Sequence, residues 1–347
     1  MGLLFKTMRI KNFLCITALS FLLCACGGKG FTIKGDIIDL DEGTINLLDI
    51  YGHTMASTEV VDGKFTFEGK VDVPCLAYIN NALGVVYPID IPILLENTVI
   101  NVTGDARIGN IAITGTKANE DMVEFKIRKD ALSPNDNEGY LNLIKEMFER
   151  DSDNVLGALL ISNLYNLVDD KELINYCERL SPEFHDNPMV LHYRNVCQAR
   201  IETEPGQKFR DIEMNGADSV AVKLSEVVES HEATVLLFWA SWARESSLII
   251  PELVEGCLKY KDSGLTMYTV SLDSDMDKVE RVTKEYGLFG YCFAEGTEKG
   301  DRAATLYGFE GLPRAVLIGK DGTVLARGRT FSDIKETMDS YFDRSHQ

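Results

Sequence analysis

The sequence predicts a multidomain chain: an antiparallel β domain, then a helical linker region, then an α/β domain on a central sheet. Three observations predict it. Residues 31–117 read as short strands punctuated by Gly and Asp, residues 118–204 carry apolar residues three and four apart, and residues 205–347 alternate apolar strands with helices. With 347 residues, 45% of them hydrophobic and 26% charged, the chain has material for more than one core and is not disordered as a whole.

The first 25 residues read as a lipoprotein signal peptide and not as part of the fold. Lys6, Arg9 and Lys11 form a basic start, Phe13 to Leu23 is apolar, and Leu23-Cys24-Ala25-Cys26 closes the segment. That ending resembles a lipobox, which makes Cys26 the expected lipid-attachment residue and residues 26–30 a short tether. A membrane-crossing helix needs about 20 apolar residues, and the run of eleven from Phe13 to Leu23 falls short. The expected address is the cell envelope, in the outer membrane facing the periplasm, because no acidic run follows Cys26.

Charge narrows the partners. The net charge is −19, and removing residues 1–25 with their three cations makes it −22. Such a chain repels nucleic acid and anionic lipid, so nucleic acid is not expected as a partner and membrane attachment rests on the lipid.

In residues 31–117, FTIKGDIIDL, TINLLDI, ASTEVV, KFTFEGK, CLAYINN, IPILLE, TVINVTG and IAITG each read as a strand. Asp62-Gly63 supplies the positive φ angles of a two-residue hairpin turn. In residues 118–204, Pro134, Pro182 and Pro188 cut the periodic stretch into hairpin-length helices. Cys177 and Cys197 read first as small core residues, with a disulfide between them as the alternative.

From residue 205, LSEVVES reads as a helix capped by Ser225, TVLLFWA as a buried strand, and SSLIIPELVEGCLKYKDSG as a helix. LTMYTVSLD is a second buried strand. MDKVERVTKEYG and AATLYG are helical, AVLIGKDGTVLARG turns at Asp321-Gly322, and a last helix is capped by Ser332.

Four blocks, PGQKF, FWASW, VSLD and YGFEGLPRAVLIGKDGTV, give residues 205–347 a resemblance to the thioredoxin-like domains of the TlpA-like thiol-disulfide interchange family. The resemblance implies a thioredoxin-like fold, a cis-proline at Pro313, and a reactive loop with two cysteines separated by two residues. Here the loop reads Trp242-Ala243-Arg244-Glu245-Ser246, with neither cysteine. The upstream segments resemble a small β domain and linker found ahead of such modules in envelope lipoproteins. Thiol exchange needs one thiolate to attack and a second thiol to resolve. Ala243 carries no heteroatom, and the Ser246 hydroxyl forms no disulfide. Ser246 is instead expected to cap the following helix, with Glu245 near its positive end.

The expected role is therefore binding or scaffolding, with an envelope protein or peptide as partner and Trp242, Arg244, Glu245, Pro313 and Arg314 as the contact surface. The alternative is a thiol-disulfide oxidoreductase or peroxidase-like protein using Cys257 or Cys292. Both cysteines read as core or strand residues. A third class is a carbohydrate or peptide binder working through the β domain. Serine hydrolysis lacks a histidine in reach: His231 precedes the core strand and falls at the far end of the sheet. The sequence shows no metal cluster or phosphate loop, so no cofactor is expected.

Overall fold

A computed structural model describes residues 30–81, 86–216 and 220–345. The signal segment, Cys26 and residues 27–29 of the tether lie outside the described residues. Among the described residues, no helix is long and apolar enough to cross a membrane.

The first domain is a pair of four-stranded sheets, ordered β4-β1-β7-β8 and β3-β2-β5-β6. The strands are β1 Phe31–Ile38, β2 Gly43–Leu48, β3 Thr54–Val60, β4 Lys64–Gly69, β5 Cys75–Asn81, β6 Asp90–Leu95, β7 Val99–Asp105 and β8 Asn110–Thr114. Alternate residues of each sheet, such as Ile33, Ile45, Phe65, Phe67, Ile79, Ile93 and Ile100, meet in one core. Asp62 and Gly63 have φ of 51° and 72°, and Val61 and Lys64 exchange both backbone hydrogen bonds across them. One pairing departs from the antiparallel expectation. β1 runs parallel to β7, with Ile33 opposite Ile100. A parallel neighbour requires a long crossover, and β2 to β6 provide it.

The helical region holds α1 Lys117–Asp130, α2 Asn137–Asp151, α3 Val155–Leu164, α4 Asp170–Arg179 and α5 Pro188–Glu202. Pro188 sits in the first turn of α5, where its missing N–H costs nothing. Buried Asp151 is paired with Lys117 and Arg150 and accepts from Asn154 at 2.9 Å. Burial alone would raise its pKa, but these donors outweigh that penalty and hold the carboxyl below its ordinary range. Cys177 and Cys197 share this core as free thiols, so the alternative of a disulfide between them is not realised.

The third domain has β9 Glu213–Asn215, β10 Ala221–Lys223, α6 Leu224–Ser230, β11 Ala233–Trp239, α7 Arg244–Leu258, β12 Leu265–Ser271 and α8 Met276–Tyr286. It continues with β13 Tyr291–Ala294, α9 Thr297–Thr305, β14 Arg314–Gly319, β15 Val324–Gly328 and α10 Phe331–Ser345. The central sheet is ordered β13-β12-β11-β14-β15. β11 is buried on both faces. Val235, Leu237 and Trp239 pack with α7, α8 and α10, whereas Leu236 and Phe238 pack with α6 and α9.

Two expected caps are displaced by aspartates. Ser225 lies inside α6, and Asp211 accepts both its N–H and its hydroxyl, at 2.9 and 2.8 Å. Ser332 lies inside α10, and Asp333 reaches back to the N–H groups of Arg329 and Thr330 at 2.7 Å. A carboxylate accepts more strongly than a hydroxyl and suits the positive helix end. α9 also starts earlier than the AATLYG reading, at Thr297.

Candidate functional site

The candidate site lies at the end of β11 where the chain turns into α7. The all-apolar strand carries the chain to Trp239, which is buried, and Ala240 and Ser241 then turn it. Trp242 stands in solvent with 62% of its surface exposed. Ala243 occupies the N-cap position of α7, buried and without a side-chain hydrogen bond. Arg244 and Glu245 follow in the first turn, both exposed.

Ser246 is not the cap that the sequence predicts. It lies in the third helical position, buried, and its Oγ accepts the N–H of Ala240 from inside the helix at 3.4 Å. α7 begins at Arg244 with Ala243 at its N-cap, so Ser246 falls inside the first turn, past the capping position. Its own N–H bonds to Ala243 O at 2.9 Å. Pro313 follows a cis Leu312–Pro313 bond at the start of β14. The pairing of Phe238 with Arg314 sets that bond beside the end of β11, and Leu312 packs in one apolar cluster with Ala243.

The corner is pinned by a residue not singled out as a site from sequence. Asp273, 3% exposed just beyond β12, accepts the N–H of Ser241 at 2.7 Å, the hydroxyl of Ser241 at 2.5 Å and that of Ser271 at 2.7 Å. An acid closing the apolar run LTMYTVSLD was the available signal. Its position at the carboxyl end of a central strand is where open α/β sheets place functional groups.

The helical region grips the cis-proline loop from the other side. Glu310 accepts from Tyr165 and from His192 Nε2, the latter at 2.9 Å, and Arg200 lies 3.4 Å away. Arg200 Nε also donates to Gly308 O at 3.0 Å. Arg327 donates to Thr203 Oγ1 and Tyr307 O, at 2.6 and 2.5 Å, and covers the Phe309 ring. Arg314 donates to the carbonyls of Glu310 and Pro313 and lies over the Phe309 ring. Burial, with Arg329 and Arg200 nearby, pulls the pKa of its guanidinium below the ordinary range. Among the described residues, neither Arg314 nor Arg244 has a carboxylate within ion-pair distance.

None of the five described thiols stands at the corner. Cys257 faces the core from α7 beside Leu253 and Val254, and burial pushes its pKa up to about 12. Burial likewise raises Cys75, Cys177, Cys197 and Cys292, Cys177 to about 11. A thiol so shifted presents little thiolate at neutral pH. Among the described residues no group of His, Cys, Asp and Glu is arranged to hold a metal ion.

Residues 205–327 match the AhpC/TSA family and residues 31–122 match a domain of unknown function, DUF4369. The carboxy-terminal domain is thioredoxin-like. Its curated relatives include the thiol-disulfide oxidoreductase ResA of Bacillus anthracis and of Bacillus thuringiensis strain Al Hakam, each 28% identical over 109 residues. The match covers 31% of this chain, and the chain spans 61% of the length of these relatives. Similar solved structures include the thioredoxin domain of a thiol-disulfide oxidoreductase from Bacteroides vulgatus, 18% identical with a TM-score of 0.36, covering 40% of this chain and 97% of that one. Another is a thiol:disulfide interchange protein from Bacteroides sp., 18% identical with a TM-score of 0.37, covering 41% and 92%. At the turn from β11 into α7 of this domain, positions 243 and 246 are Ala and Ser.

Proposed function

We propose that this is a lipid-anchored cell-envelope protein whose thioredoxin-like corner binds a partner in place of exchanging disulfides. The observation that carries the reading is the absence of sulfur at positions 243 and 246, with every described thiol shifted away from its reactive form. The surface that remains suits binding. Trp242 presents a rigid aromatic face, and beside it Arg244 is exposed with no carboxylate in ion-pair distance among the described residues; Trp and Arg are enriched among the anchors of interfaces. The anchor reading rests on the basic start, the eleven-residue apolar run and Cys26, and the acidic chain leaves membrane attachment to that lipid.

The likeness to ResA favours a second reading, thiol chemistry by a cysteine outside the loop. Cys292 is the candidate of this domain, because its side chain is only partly buried.

Crosslinking in the native envelope, followed by affinity recovery of the tagged protein, tests the first reading. A partner recovered with the native chain is expected to fall about tenfold or more with Trp242→Ala, the loss of a central aromatic anchor. It should persist with Leu258→Ala at the far end of α7. Equal recovery with Trp242→Ala would place the contact elsewhere.

A further inference from the structure

A cleft of about 720 Å³ separates the β domain from the helical region. That size falls within the range of small-molecule sites. Leu76, Tyr78 and Pro92 of the paired strands β5 and β6 form one wall, and Phe125, Leu159 and Tyr193 of α1, α3 and α5 form the other. The apolar residues Ile50 and Tyr51 stand at the mouth on the turn between β2 and β3, and Tyr51 is 68% exposed. Apolar side chains held in water around a concave site are surface that a ligand would cover.

Two ammonium groups stand at this cleft. Lys126 and Lys129, three residues apart on α1 and so on one side of it, line the cleft together with the acidic Asp130, and Asp90 stands with Lys126 in an adjoining pocket. Elsewhere on α1, Lys117 pairs with Asp121 and Asp151, and Arg128 pairs with Glu124 and Glu146. Among the described residues no carboxylate lies within ion-pair distance of Lys126 or Lys129. Lys129 rests instead over the Tyr140 ring, 5.2 Å from its centre. In a chain with 54 acidic and 35 basic residues, two unneutralised ammonium groups beside an apolar cleft mark an anion position.

We infer that this cleft binds an amphiphile with an apolar body and a single anionic head, the chemistry of a free fatty acid. The body lies between the strand and helix walls, and the head lies between Lys126 and Lys129. This site uses none of the residues at the thioredoxin-like corner, so it stands or falls separately from the partner reading. His192 and Tyr193 connect the two places, because both line the cleft while His192 holds Glu310 and the Tyr193 ring packs on Tyr165 with centroids 4.6 Å apart.

The test uses the purified chain and dansyl-labelled undecanoate as a fluorescent probe, displaced by dodecanoate, dodecanol or dodecylamine. Saturable probe binding is expected, with dodecanoate displacing it at about tenfold lower concentration than dodecanol and lower still than dodecylamine, since a charge-assisted contact is lost or reversed. Lys126→Gln with Lys129→Gln should weaken dodecanoate about tenfold and leave dodecanol unchanged, while Lys34→Gln on β1 changes neither. The comparison of head groups on the native chain needs no variant, so a folding defect cannot hide the answer. Absence of saturable binding, equal displacement by the three competitors, or undiminished dodecanoate binding by the lysine variant would each overturn the inference.

Discussion

Ala243→Cys combined with Ser246→Cys is expected to convert the native protein into a disulfide reductase, raising turnover from background by on the order of a hundredfold or more. The reason lies in what the corner retains. α7 begins at Arg244, so a thiol at 243 would sit at the positive end of a fifteen-residue helix, where a thiolate is favoured. A thiol at 246 would stand one turn on, at the resolving position. Pro313 remains cis beside them and the loop stays pinned by Asp273. The check is turnover of a dithiol-reducible substrate, together with the loss of two free thiols on mild oxidation. A double variant that folds, forms its disulfide and still does not turn over would mean that the corner lacks more than sulfur.

Asp273→Ala is expected to destabilise the thioredoxin-like domain by about 3 kcal/mol. It strips three donors of their acceptor at a site closed to water: the Ser241 N–H, the Ser241 hydroxyl and the Ser271 hydroxyl. Asp273→Asn should cost about 1 kcal/mol or less. An amide oxygen in place of Oδ2 still accepts from Ser241 N–H and Ser271, and its NH₂ group can donate to Ser241 Oγ, whose proton is free to rotate. The two variants therefore separate hydrogen bonding from charge. Denaturant midpoints followed by near-ultraviolet circular dichroism give the comparison, with exposed Glu252→Ala as a control expected to change little. Equal losses for Ala and Asn would mean that the carboxylate charge matters more than the bonds.

The fold was legible in the sequence wherever a local signal decided the outcome. The apolar run from Ala233 to Trp239 allows only a strand buried on both faces, and Asp62-Gly63 allows only a tight hairpin. The same holds for positions 243 and 246, because Ala and Ser can be read directly as residues without sulfur. Capping was less legible, since Ser225, Ser246 and Ser332 compete with aspartates or turns whose reach depends on the final backbone. Asp211 acts from fourteen residues upstream of Ser225. Long-range features could not be read at all. The grip of Tyr165, His192 and Arg200 on Glu310 joins residues more than a hundred apart, and no periodicity encodes it. The parallel pairing of β1 with β7 is of the same kind, as either strand alone reads equally well in an antiparallel sheet. The cleft between the β domain and the helices depends on how two domains meet, which neither segment states by itself.

The most direct measurement of the central claim is a disulfide reductase assay on the purified native chain, run beside the variants Cys257→Ser and Cys292→Ser and the Ala243→Cys/Ser246→Cys protein. The native chain and both serine variants are expected to stay at background while the two-cysteine protein turns over. Turnover by the native chain that disappears with Cys257→Ser or Cys292→Ser would contradict the account and restore thiol exchange as the function of this domain.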